Sequence, residues 1–68
     1  MADKVYKLTE VVGTSSESYA AATQAAVAKA SETLRNLDWF EVTDMRGRIQ
    51  NGKVAQFQVT VKMGFRLD

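Results

Sequence analysis

The sequence predicts an α+β domain of order β-α-β-β, a three-stranded antiparallel sheet with one helix across it. Three observations predict this. An alanine-rich stretch without Gly or Pro fills the middle of the first half, an Asn51-Gly52 pair punctuates the second, and apolar/polar alternation runs unbroken from Ala55 to Leu67.

The first strand is expected from about Lys4 to Val12, where Val5, Tyr6, Leu8, Val11 and Val12 dominate. Gly13 is expected to end it. Thr14 and Glu17 then have the spacing of a capping box, with Ser15 and Ser16 as alternative caps. A helix is expected from Glu17 to about Asn36, because Ala, the strongest helix former, recurs through it. Its apolar stripe is Tyr19, Ala22, Ala26, Ala30, Thr33 or Leu34, and Leu37, the three-to-four spacing of one helix face. A stripe this small lets a helix approach a sheet closely.

Asn51-Gly52 suits a type I′ turn, whose two central residues need positive φ. The hairpin therefore joins a strand of about Trp39 to Gln50 to the long alternating strand. Ala55, Phe57, Val59, Val61, Met63, Phe65 and Leu67 are assigned to the helix side. A two-residue turn without bulges sets the register, pairing Gln50 with Lys53, Met45 with Gln58, Thr43 with Thr60, Glu41 with Lys62, Phe40 with Met63 and Trp39 with Gly64. That register puts Trp39, Glu41, Thr43 and Met45 on the outer face. It puts Asp44, Arg46 and Arg48 on the helix face near the hairpin tip. Pattern does not decide which hairpin strand the first strand joins.

With 68 residues, the chain is read as a single domain spanning 1–68. Nine Lys and Arg against eight Asp and Glu leave a net charge of +1, which argues against a nucleic-acid surface built on basic excess. Neither Cys nor His is present, which excludes disulfides, thiolate or imidazole metal sites and His-based acid/base chemistry. No apolar run approaches the roughly 20 residues that span a bilayer. Met1-Ala2-Asp3-Lys4 lacks the apolar stretch of a signal peptide. A cytoplasmic protein without membrane attachment is expected, and enzymatic activity is not. A domain of about 60 residues buries only about 60% of its unfolded surface. Having neither disulfide nor metal to staple it, the chain is expected to oligomerise.

Trp39 is the informative side chain, because an outward-facing indole on a one-layer sheet needs a partner. Two uses fit: packing in a subunit interface and a stacking platform for a flat aromatic ligand. Gln56 and Gln58 each carry donors and an acceptor, suited to the edge of a heterocycle or to solvent. Glu41 and Lys62 read as a cross-strand ion pair.

Several segments resemble the dodecins, a family of small flavin-binding proteins. They are Val11-Val12-Gly13-Thr14-Ser15-Ser16-Glu17-Ser18, Leu37-Asp38-Trp39-Phe40-Glu41-Val42, Arg46-Gly47, Phe57-Gln58-Val59, and Lys62-Met63-Gly64-Phe65-Arg66-Leu67. Together they span nearly the whole chain in the family's order. The resemblance implies a strongly bent sheet that partly wraps the helix, and assembly into a hollow homo-dodecamer. It implies flavins bound in pairs near two-fold axes, stacked between symmetry-related copies of Trp39 and hydrogen-bonded at the ring edge by Gln58. Arg46 is the implied phosphate contact, FMN the implied flavin (with riboflavin or FAD as alternatives), and coenzyme A a further implied ligand. Flavin storage and quenching of the photoexcited flavin are the implied roles. A structural oligomer with incidental ligand binding and a small flavin-dependent oxidoreductase are the alternatives.

Trp39 and Gln58 lie about six pairs apart on the ladder, roughly 20 Å at about 3.3 Å per residue. One flavin is therefore expected to meet them from different subunits, unless a bend or bulge closes the gap. Arg46 falls on the face opposite Gln58 in this register, and a bulge or twist near Gly47 would be needed to bring it round.

Overall fold

A computed structural model describes residues 3–68; Met1 and Ala2, part of the N-terminal reading above, lie outside the described residues. The element order is β1 (Val5–Ser15), α1 (Tyr19–Ser31), β2 (Leu37–Gln50) and β3 (Lys53–Leu67). The sheet is antiparallel in the order β1-β3-β2, so the long alternating strand is central and β1 joins it on the side away from β2.

The helix is shorter than its propensity suggests. Its N-cap is Ser18, whose Oγ accepts from the Ala21 N–H at 2.9 Å, rather than Thr14, Ser15 or Ser16. Ser15 Oγ instead accepts from the Glu17 N–H at 2.9 Å, fixing the turn between β1 and α1. Thr14 and Ser15 are still strand residues, because their pairing with Gln58 and Phe57 outcompetes a local cap. At the other end α1 stops at Ser31, and Asn36 takes a left-handed φ of 64°. Asn tolerates that conformation better than most residues, and there the chain turns back toward β2.

Gly13 does not end β1. It pairs with Val59 inside the strand, directly beneath the helix. A Cβ there would lie 2.2 Å from the Ala22 carbonyl oxygen and 2.9 Å from Ala26 Cβ. The core is correspondingly thin: Ala22, Ala26 and Ala30 of α1 against Val59, Val61 and Met63 of β3. Tyr19 closes one end edge-on to Phe57, with ring centroids 5.0 Å apart.

The Asn51-Gly52 turn forms as expected, with φ of 55° and 76°. The simple register holds at both ends of the hairpin and fails between them. An irregularity between Arg48 and Ile49 leaves Ala55 without a partner, and the pairing then runs one residue out of step until Thr43 is left over in its turn. Gly47 sits beside the first irregularity, where a Cβ would meet the Gln56 carbonyl oxygen at 2.6 Å. Glycine inside a strand commonly marks such close backbone approach. Bulges reverse which face a side chain takes. Met45 is therefore opposite Val59 rather than Gln58, and Asp44, Arg46 and Arg48 are opposite Thr60, Gln58 and Gln56 on the outer face.

The helix covers β1 and β3 and scarcely reaches β2. Phe40, Val42 and Met45, on the helix side of β2, remain exposed, Phe40 by 54% and Met45 by 55%. The radius of gyration is 14.3 Å, against roughly 11 Å for a compact chain of this length. Among the described residues no helix is long and apolar enough to cross a membrane.

Candidate functional site

The outer face of the sheet is laid out in cross-strand rows. Leu8, Gly64 and Trp39 form one row, followed by Glu10, Lys62 and Glu41, then Val12, Thr60 and Asp44, then Thr14, Gln58 and Arg46. Directly paired residues on adjacent strands share a face, so these side chains stand on one surface, away from α1.

Trp39 lies across Gly64. A Cβ at position 64 would come within 2.2 Å of Trp39 Cε2, 2.4 Å of Cζ2 and 2.6 Å of Nε1, so the missing side chain is what lets the indole lie close to the strand. Gly64 is buried beneath it while the indole remains 43% exposed. Leu8 is exposed on the far side of Gly64 and widens the apolar strip. The residue before the indole is tied down. Asp38 falls at a register irregularity between Leu37 and Trp39, and Tyr6 Oη donates to its Oδ2 at 2.8 Å across the central strand. That hydrogen bond, with lesser help from burial and the carboxylate charge, raises the Tyr6 phenol above its ordinary value. The strap therefore persists through the neutral range.

The polar end is built by the bulges. Gln58 Nε2 donates to Gln56 Oε1 at 2.8 Å. Arg46, directly opposite Gln58, forms an ion pair with Asp44 through Nη2 and donates from the same nitrogen to Thr60 Oγ1 at 3.3 Å. The hydrogen bond and charge of Arg46 hold the Asp44 carboxyl below its ordinary value, so the pair is lost at a lower pH than an unpaired Asp would protonate. Glu41 and Lys62 are opposite one another without closing an ion pair, and Glu10 flanks Lys62 on its other side.

Trp39, Gln58 and Arg46 thus share one face, but the bulges bring only the last two together. Gly64 and Gln58 remain six residues apart along β3, roughly 20 Å at about 3.3 Å per residue. A recess of about 120 Å³ beside Trp39, lined by Val27, Leu37, Asp38, Phe40 and Met63, is well below the roughly 300 Å³ of a small ligand pocket. A larger groove of about 570 Å³ follows the open edge of β1 and α1, lined by Val11, Gly13, Ala26 and Ala30 among others. It contains no aromatic side chain and is not the Trp39 surface.

Sequence reasoning missed Tyr6, Asp38 and Asp44 as parts of this surface. Tyr6 and Asp38 are 32 residues apart, and only the strand order brings them together. For Asp44 the one available sign was Gly47, a strand glycine marking a possible bulge.

The Gly64 contact gives a direct prediction. In Gly64→Ala the new methyl occupies the space of the indole, which is a side chain and can swing away. Little stability should be lost, under about 1 kcal/mol, but the emission of Trp39, the only Trp in the chain, should shift toward that of a solvated indole. Unchanged emission would show that the indole does not rest on Gly64.

Comparison with known proteins bears on this arrangement. The family model described as Dodecin matches residues 5–68. A dodecin of Thermus thermophilus is 55% identical over 65 residues, 96% of this chain and 94% of that protein. The structure of dodecin from Streptomyces coelicolor superposes with a TM-score of 0.94 at 54% identity, covering all of this chain and 97% of that one. Dodecin from Streptomyces davaonensis superposes with a TM-score of 0.93 at 48% identity, covering 98% of each chain. Match along the whole fold, with β-α-β-β order and a three-stranded antiparallel sheet, establishes that this chain belongs to the dodecin family.

Proposed function

We propose that this protein sequesters flavin, FMN by preference, by stacking its ring on Trp39. The observation that carries the reading is the indole itself: supported from below by a glycine, steadied by the Tyr6–Asp38 strap at its neighbour, and open above. An aromatic face supported on one side and free on the other is a platform for a flat ring system. The donor set also fits. Gln58 offers both donors and an acceptor to the edge of a heterocycle, and Arg46, turned outward by the bulges, offers a cation for a phosphate.

The site is completed by symmetry. One protomer supplies a single indole, a recess too small for the ligand, and a polar end about 20 Å away. Each flavin therefore meets Trp39 of one subunit and Gln58 of another, with paired flavins between two indoles. The elongated protomer and the exposed Phe40, Val42 and Met45 on β2 favour the homo-dodecamer that accompanies this reading. A ligand-bound structure in which one subunit provides both contacts would refute the two-subunit site.

A bound flavin supplies a ring that becomes a strong electron acceptor on absorbing light. Trp39, stacked on such a ring, would be the residue able to give it an electron, and the closed stack would favour return of that electron to the indole. The same stack covers the ring faces against a hydride donor, which favours storage and photoprotection over turnover. The test is titration of FMN into the purified protein, following flavin emission. Saturable quenching is the expected result; unquenched emission, with no bound flavin after gel filtration, would leave a structural oligomer as the better reading.

A further inference from the structure

We propose that Asp44 is a built-in competitor for the Arg46 guanidinium, and that it limits how strongly the site prefers a phosphorylated flavin over an unphosphorylated one. The inference rests on the flavin-binding reading above.

Its basis is the set of donors that Arg46 has left. A guanidinium has five N–H donors in a fixed fork, and it grips a phosphate best through two parallel N–H groups on neighbouring nitrogens. Nη2 belongs to both such edges, one shared with Nε and one with Nη1. Here Nη2 donates to Asp44 Oδ2 and to Thr60 Oγ1. With Nη2 donating to both acceptors, the remaining donors on Nε and Nη1 do not form a paired edge. A phosphate can approach them singly, but to clamp the guanidinium it must displace one of the two acceptors. Thr60 is neutral. Asp44 is an anion, so it both occupies a donor and repels the incoming charge.

The irregular register puts this pair on the flavin-facing surface. In an unbroken ladder Asp44 and Arg46 would stand on the helix side; the irregularities around Thr43 and Ala55 turn them outward as a unit, next to Thr60 and Gln58. Both side chains stay about half exposed, 51% for Arg46 and 54% for Asp44. Exposed pairs of this kind are held weakly, so the guanidinium exchanges between Asp44 and a ligand. A flavin without phosphate has no use for Arg46 and is indifferent to that exchange. A phosphorylated flavin must win it.

The experiment uses the full-length oligomer and compares FMN with riboflavin by emission quenching in the native protein, Asp44→Asn, Arg46→Ala and the double variant. Asn preserves the size of the side chain and removes its charge. Asp44→Asn is expected to tighten FMN about threefold at low ionic strength, with riboflavin unchanged, and the gain should shrink as salt screens the charges. It should fall to the small part due to direct repulsion of the phosphate when Arg46 is also Ala, and a gain that stays full in that background would overturn the competition. Weaker FMN binding in Asp44→Asn would overturn the inference and make Asp44 an orienting partner of Arg46. An unchanged FMN-to-riboflavin ratio would overturn it too, removing this inference alone if the native protein binds both flavins. Native protein that binds neither flavin would instead remove the reading on which it rests.

Discussion

Trp39→Ala is expected to weaken FMN binding by about 1–3 kcal/mol, the usual effect of removing one aromatic stacking partner, or roughly five- to 150-fold in Kd. Whatever flavin still binds should be bright, because the donor that quenches it is gone. The two readouts separate the roles of the side chain. Trp39→Phe restores a flat apolar surface with a poorer electron donor, so it should recover much of the affinity and little of the quenching. The substitution should also leave the fold intact, since the indole stands outside the Ala22, Ala26, Ala30, Val59, Val61 and Met63 core. Full quenching in Trp39→Ala at native affinity would mean that flavin binds elsewhere, and the proposed site would fall with it.

What could be read from the chain before folding follows a physical division. The helix side of β3, the Ala stripe and the Asn51-Gly52 turn were legible because each is a local pattern enforced by burial or by backbone conformation. The outward position of Trp39 was legible for the same reason, as the ladder near Gly64 keeps the register set by the turn. Arg46 was misplaced because a bulge depends on how two strands settle against each other. Only Gly47 hinted at it, and nothing in the sequence distinguished Thr43 as the residue that restores the register. The helix cap was misassigned for a related reason. Thr14, Ser15 and Ser16 have the right chemistry, but Thr14 and Ser15 are drawn into pairing with β3, the Ser15 hydroxyl accepts from the Glu17 N–H, and the helix begins only after Ser18. The strand order and the Tyr6–Asp38 strap are tertiary facts that no local window contains.

Gly13→Ala is expected to be the most damaging small substitution in the fold, and its contrast with Gly64→Ala shows why. At position 64 the added methyl meets an indole that can rotate off the strand. At position 13 it meets the carbonyl oxygen of Ala22 at 2.2 Å and Ala26 Cβ at 2.9 Å, one of them helix backbone and the other bonded directly to it. Neither can turn aside, so the whole helix must lift from β1. Lifting it opens the contacts of Ala22, Ala26 and Ala30 with Val59, Val61 and Met63, which constitute the buried core. Overpacking of this kind costs about 1–3 kcal/mol when side chains can adjust, and the upper end applies where backbone blocks the adjustment. Folded chains of this length are held by only roughly 3–10 kcal/mol. A loss of about 3 kcal/mol should lower the melting temperature by roughly 12–24 °C in a domain of this size. Because assembly adds to apparent stability by mass action, the comparison belongs at equal protein concentration, with the oligomeric state followed by gel filtration. A melting temperature within about 2 °C of the native value would mean that α1 does not press on β1 at Gly13, and the close approach permitted by the alanine stripe would no longer explain this core.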